Sequence, residues 1–127
     1  MNALIKKPFG LTGTGYKTMT NVEFFIDNDN KIYSFKVTGH VDFALDGDDA
    51  LCAAISTLVS HTIGQVHEFT DDPCENIVDE DIPMVVFKLT GDEISDLSYI
   101  FMESLASSVD DLAMMHPDYI KVSYTES

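Results

Sequence analysis

The first two apolar segments of the chain alternate between apolar and polar residues, which is the period of a β-strand. Residues 22 to 27 and 31 to 37 both follow this pattern. The residues that share an apolar face are Val22, Phe24 and Ile26 in the first segment and Tyr33, Phe35 and Val37 in the second. Residues 28 to 30 are Asn, Asp and Asn, which are typical of a turn. The pattern therefore predicts a β-hairpin.

Helical spacing replaces this alternation from Ala50 to about Gly64. Apolar residues recur there at intervals of three and four, as expected for one buried face of a helix. They are Leu51, Ala54, Ile55, Leu58 and Val59. Asp48 or Asp49 is a suitable N-cap, so we predict the first helix to begin at this point.

The second half of the chain contains one weak strand signal and three stronger elements. Residues 65 to 82 are polar and acidic, and within them only residues 75 to 78 indicate a strand, whereas residues 84 to 89 predict one clearly.

The second helix is predicted after these strands. Thr90 and Glu93 have the spacing of a capping box, and the apolar stripe after them ends at His116, before Pro117. That stripe consists of Ile94, Leu97, Phe101, Leu105 and Leu112. With a closing strand at residues 119 to 124, the order is ββα(β)βαβ. This order predicts a single α+β domain with two helices packed against a mainly antiparallel sheet.

The length of 127 residues fits one compact domain. Residues 1 to 18 show no period, and Met19 stands just before the first strand. We therefore expect residues 1 to 18 to be an N-terminal extension or an expression remnant, and residues 19 to 127 to form the domain. No apolar run approaches the roughly 18 residues of a membrane span, so we expect a soluble protein.

The charge of the chain is strongly negative, with seven basic and 22 acidic side chains and a net charge of −15. Nucleic acid is therefore a poor partner, and a basic peptide is a suitable one. The same charge can also simply keep a protein soluble. The chain has two cysteines, Cys52 and Cys74, and no signal-peptide pattern, which favours a reduced, cytoplasmic setting without a disulfide.

Three parts of the sequence resemble cofactor or metal-binding motifs, but each lacks a residue or a spacing that the motif requires. The glycine-rich segment at residues 10 to 18 has Tyr16 where a phosphate loop requires lysine. The segment that begins at Asp27 lacks the glycine and glutamate of a calcium loop. His61, His67 and Cys74 do not have the spacing of zinc ligands. We therefore predict no metal and no cofactor.

The segment with the clearest chemistry is "TGHVDFALDGDDALCAAIS", residues 38 to 56. Cys52 lies near the start of the first helix, where the helix dipole favours a thiolate by only about 0.3 to 1 kcal/mol. A nucleophilic Cys52 therefore needs a neighbouring base, and His40 at the end of the second strand is the nearest candidate. The spacing alone also allows an ordinary buried cysteine and a surface histidine.

The same segment resembles the signature of the ribosomal-processing cysteine protease family (Prp, or YsxB-like proteins). In that signature Gly-His is followed, after a short loop, by Gly-x-Asp, two apolar residues, Cys-Ala-Ala and a β-branched residue with Ser. The residues that match in register are Gly39, His40, Gly47, Asp49, Cys52, Ala53, Ala54, Ile55 and Ser56. The resemblance covers about residues 21 to 124, although the region from 65 to 82 is unusually polar for the family.

The resemblance implies a bacterial cysteine endopeptidase that removes the N-terminal extension of a large-subunit ribosomal protein, the twenty-seventh by the usual count. It implies a catalytic dyad in which His40 is the general base and Cys52 the nucleophile, with Asp49 and Ser56 beside them. Amides at the start of the first helix are then the expected oxyanion donors.

The resemblance further implies that the loop at residues 41 to 48 covers the substrate groove and that the protein forms a homodimer. Gly39 and Gly47 flank this loop, and the conformational freedom of glycine makes them its expected hinges. The alternative is a non-catalytic acidic module that binds a basic ribosomal or assembly partner and uses Cys52 only for packing.

Overall fold

The structure is a computed structural model that describes residues 19–39, 48–79, 81 and 84–126. Its strands and helices are β1 (Thr20–Ile26), β2 (Ile32–Thr38), α1 (Asp48–Phe69), β3 (Cys74–Asp79), β4 (Met84–Leu89), α2 (Asp96–Met115) and β5 (Ile120–Glu126). The predicted order and α+β class are confirmed, and the weak signal at residues 75 to 78 does correspond to a strand.

In the described residues the strands form one sheet in the order β3-β4-β2-β1-β5. All neighbours are antiparallel except β1 and β5, which are parallel. Phe24, Phe35 and Phe87 lie side by side on three adjacent strands, and none of them is exposed. Both helices contribute to the hydrophobic core that contains these rings, so they cover this face of the sheet.

The hairpin turn between β1 and β2 is held by Asp27. Its Oδ1 accepts hydrogen bonds from the backbone N–H of Asp29 at 2.8 Å and of Lys31 at 3.0 Å. A register shift after Phe25 pairs Ile26 with Ile32. As a result Ile32 is the buried residue at this end of β2. The alternation of apolar and polar residues in the sequence predicted that Tyr33 would be on the buried face instead.

The helix α1 differs from its prediction at both ends. It begins at Asp48, so the two aspartates that we expected as N-caps lie within the helix. It also continues past Gly64 to Phe69. Val66, which is 1% exposed, extends the buried face by a further turn, and this packing keeps the polar sequence around it helical.

The helix α2 begins later than the capping-box pattern predicted. Its N-cap is Ser95, whose hydroxyl accepts the backbone N–H of Ser98, whereas the N–H of Thr90 donates to the carbonyl of Pro73. The buried face is also rotated from the predicted stripe, because Leu97 is 40% exposed. The buried residues of α2 are Ser98, Met102, Leu105, Ala106 and Val109.

A hydrogen-bond network joins the start of α2 to the segment between α1 and β3. The carboxylate of Asp72 accepts the N–H and the hydroxyl of Ser95 and the hydroxyl of Ser98. Burial raises the pKa of Asp72, but hydrogen bonds from Ser95, Ser98 and Thr70 outweigh it and leave the pKa below its ordinary value. The ionised carboxylate therefore fixes the point from which β3 starts.

Neither helix in the described residues combines the length and the apolar character that a membrane span requires.

Candidate active site

Cys52 lies in the first turns of α1 and is half-buried. Both cysteines, which belong to the described part of the chain, are thiols rather than partners in a disulfide. The first four N–H groups of a helix have no acceptor within the helix. A thiol at this position therefore lies beside donors that can bind a developing negative charge.

The position of α1 on the sheet shows which end of the sheet Cys52 occupies. At the end of α1, the ring of His67 lies 6.5 Å from that of Phe87, and its Nε2 is 4.0 Å from the sulfur of Cys74. Cys52 precedes His67 by fifteen residues, a rise of about 22 Å along the helix. The two helices pack with the end of α1 beside the start of α2, and α2 runs from there to the sheet end at which β5 and β1 start. Cys52, near the other end of α1, therefore lies toward the opposite end of the sheet from Cys74.

The same end of the sheet carries the end of β2. Thr38 is the partner of Met84, and Met84 is in turn the partner of Asp79, the last residue of β3. The chain thus leaves β2 at the sheet end where α1 begins. His40, Gly47 and the side chain of Asp49 lie outside the described residues, so the dyad stays a prediction.

Gly39 is described, and its backbone requires glycine. Its φ is +102°, in the region that favours glycine. A Cβ atom at this position would lie 2.3 Å from the carbonyl oxygen of Met19. Gly39 therefore lets the end of β2 pass close to the start of β1, directly before His40. The role of Gly39 as a hinge stays a prediction.

We expect Gly39→Ala to lower the free energy of unfolding. An L-residue in the left-handed region costs about 1 to 2 kcal/mol, and overpacking against backbone adds about 1 to 3 kcal/mol. Gly64→Ala is the matched control. Nothing lies within 4 Å of the added methyl group there, so alanine should stabilise α1 by about 0.5 to 1 kcal/mol. Urea denaturation measures both effects, and a loss of stability in both variants would contradict this interpretation.

Ser56 lies one turn after Cys52 in α1 and is exposed. Residues four apart share one side of a helix, so Ser56 and Cys52 occupy the same side of α1. The structure thus places Ser56 where a substrate beside Cys52 could contact it. Its role in catalysis stays a prediction.

A second cysteine and histidine pair was missed by the sequence analysis. In the sequence, Cys74 and His67 were considered only as candidate zinc ligands with His61, and their spacing of seven residues excluded that role. Because α1 continues to Phe69, the chain reverses directly after it and brings the two side chains to 4.0 Å. Burial and the charge of Asp72 both raise the pKa of Cys74, which disfavours its reactive thiolate form. Among the described residues there is no group of three or more metal ligands.

Comparison with known proteins identifies the family. The family model for the cysteine protease Prp matches residues 19 to 121, which is most of the chain. The chain belongs to this family. The predicted enzyme class, a cysteine protease, is thereby confirmed, and Gly39, Cys52 and Ser56 all lie within the matched residues.

Solved structures share the fold of this Prp family member. The essential ribosomal processing protease Prp from S. aureus, in complex with a substrate peptide, matches with a TM-score of 0.77 and 16% identity. The match covers 84% of this chain and 100% of that one. SMU.848 from Streptococcus mutans matches with a TM-score of 0.78 and 20% identity, over 86% of this chain and 99% of that one. A search of curated protein sequences gives no significant match.

Proposed function

We propose that this protein is a ribosomal-processing endopeptidase. Its substrate is the N-terminal extension of a large-subunit ribosomal protein, the twenty-seventh, with Cys52 as nucleophile and His40 as general base. The observation that carries this proposal is the position of Cys52 in the first turns of α1, at the sheet end where β2 leads into residue 40. The S. aureus relative, described as a ribosomal processing protease bound to a substrate peptide, supports the same substrate class.

The proposed reaction proceeds in two halves. The thiolate of Cys52 attacks the scissile carbonyl carbon, and amides at the start of α1 bind the resulting oxyanion. The carbon–nitrogen bond then breaks, and the imidazolium of His40 gives its proton to the leaving amine. In the second half His40 takes a proton from water and the hydroxide attacks the thioester. The carbon–sulfur bond then breaks, the new carboxyl end is released, and the Cys52 thiolate and the His40 imidazolium are restored.

The charge of the helices supports a basic substrate. Neither α1 nor α2 contains a lysine or arginine, although both carry carboxylates. The fixed charges of the helical layer are therefore all negative, and together with the net charge of −15 they attract a cationic polypeptide tail. The proposal places the enzyme in the cytoplasm, without direct contact with nucleic acid or a membrane, and includes the predicted homodimer.

The reactivity of Cys52 tests the proposed dyad. Alkylation by iodoacetamide near neutral pH should be at least about tenfold faster at Cys52 than at Cys74, because only a thiolate reacts. Cys74 is a suitable internal reference because its pKa is raised and it has its own histidine neighbour. The rate at each cysteine can be measured by mass spectrometry of digested samples.

Two histidine variants separate the dyad from a general effect of charge. His40→Ala should reduce the rate at Cys52 to near that at Cys74, whereas His67→Ala should leave Cys52 unchanged. If Cys52 reacts no faster than Cys74 and His40→Ala has no effect, the proposed dyad of Cys52 and His40 is wrong.

A further inference from the structure

The strand β3 lies at one edge of the sheet formed by the described residues. It pairs with β4 on one side, and no other strand of the described residues lies on its other side. Ile77 and Val78, in the second half of the strand, are 51% and 58% exposed. Because neighbouring residues of a strand point to opposite faces, the edge presents an apolar side chain on each face.

Natural edge strands are often protected by lysine, proline or a β-bulge, and β3 has none of these three features. It contains no lysine and no proline, and its six residues pair with β4 without a bulge. The opposite edge of the sheet, β5, differs. It carries Lys121 and Glu126, and the hydroxyl of its exposed ring, Tyr124, donates to Asp110 at 2.7 Å. A regular and apolar edge is suited to pairing with a further strand.

The charge around β3 indicates which kind of strand would pair. Glu75 and Asp79 lie on the strand, Asp71 and Asp72 precede it, and Asp81 follows it. The sequence has no lysine or arginine between residues 70 and 87. An added strand therefore meets apolar side chains in the middle and carboxylates toward both ends, and a segment with basic and apolar residues complements both features.

The direction of β3 connects this edge to the active site. The strand starts at Cys74, beside the end of α1, and runs for about 17 Å to Asp79, at the sheet end where α1 begins. Cys52 lies near that same level, because it is about 22 Å back along α1 from the contact between His67 and Cys74. A polypeptide paired along β3 therefore extends toward the nucleophile.

We propose that β3 binds an extended, basic segment of the substrate polypeptide as a sixth strand of the sheet and so leads it to Cys52. This inference rests on the proposed function, since it makes the edge part of the substrate groove. A second copy of this chain is the poorer occupant. Pairing two copies of β3 would bring Glu75 and Asp79 of each copy near those of the other, between molecules that each carry a net charge of −15.

The first test measures binding without cleavage. Full-length Cys52→Ala protein is titrated into a fluorescent octapeptide of alternating lysine and valine, and binding is followed by anisotropy. We expect the double variant Ile77→Lys, Val78→Lys to weaken binding by at least about tenfold, because it places like charge against the peptide. Ser123→Lys, an exposed position on the other edge strand, adds charge away from β3 and should change the affinity by less than about twofold per added charge.

A second peptide tests whether the backbone takes part. The same octapeptide with alternate N-methylated amides keeps every charge but cannot donate the hydrogen bonds of a strand, so it should bind at least about tenfold more weakly. Equal binding of the two peptides would overturn the proposal, because an electrostatic surface alone would not distinguish them. Equal effects of the Ser123 and β3 variants would overturn it as well.

Cleavage kinetics distinguish this inference from the proposed function. With the ribosomal extension peptide as substrate, the β3 double variant should raise KM by about tenfold and change kcat by less than about twofold. If cleavage occurs with an unchanged KM in that variant, the edge is not a substrate site and the protease proposal stands. If the parent binds the octapeptide at β3 but cleaves nothing, the proposed function fails alone. If the variant instead converts a dimer to a monomer in sedimentation and leaves peptide affinity unchanged, β3 is an interface between copies.

Discussion

Cys52→Ala is expected to reduce kcat/KM for cleavage of the ribosomal extension peptide by at least about 10³-fold, since the covalent route to the thioester is lost. The effect should fall on kcat, because the small side chain at the start of α1 contributes little to holding an extended peptide. Cleavage can be followed by mass spectrometry of the peptide at several concentrations, which yields kcat and KM separately.

The control for Cys52→Ala is the same substitution at the other cysteine. Cys74 is half-buried at the far end of the sheet, and its pKa is raised, so Cys74→Ala should change kcat by less than about twofold. Both variants should keep the cooperative unfolding of the parent. Equal losses of activity in the two variants, or full activity in Cys52→Ala, would remove Cys52 from the proposed mechanism.

The parts of the fold that the sequence predicted are those in which a local period and tertiary packing agree. The alternation around Phe24 and Phe35 predicted β1 and β2 because both rings do face the core. The run at residues 84 to 89 predicted β4 without error. Where local signals competed, the prediction was wrong. Thr90 and Glu93 resemble a capping box, but the N–H of Thr90 is used by Pro73 and the cap is Ser95.

The candidate site was predictable to the extent that it is local in sequence. Cys52 and Gly39 lie in one short segment with a recognisable spacing, and the family match includes both. The approach of Gly39 to Met19 and the contact between His67 and Cys74 join residues across the fold. No spacing rule predicts such contacts, because they depend on where α1 ends and how the sheet is ordered. The edge position of β3 likewise became visible only once the strand order was known.

Phe35→Ala is expected to lower the free energy of unfolding by about 3 to 5 kcal/mol, the usual cost of removing a buried aromatic ring. The side chain of Phe35 has no exposed surface, and its ring centroid lies 6.3 Å from that of Phe24 and 5.6 Å from that of Phe87. It therefore joins three neighbouring strands at the centre of the sheet, where partial collapse cannot fill the cavity. Urea denaturation of the parent and the variant measures the loss.

Phe69→Ala provides the control for the removal of a ring. Phe69 is 60% exposed at the end of α1 and contacts Phe101 at 6.3 Å between centroids, so its loss should cost less than about 1.5 kcal/mol. A similar cost in both variants would contradict the packing described for the core.

Phe35 also lies on the strand that leads into Gly39, and a loosened β2 would displace the residue that precedes His40. Phe35→Ala should therefore reduce kcat/KM even at temperatures where the variant is still folded, whereas Phe69→Ala should not.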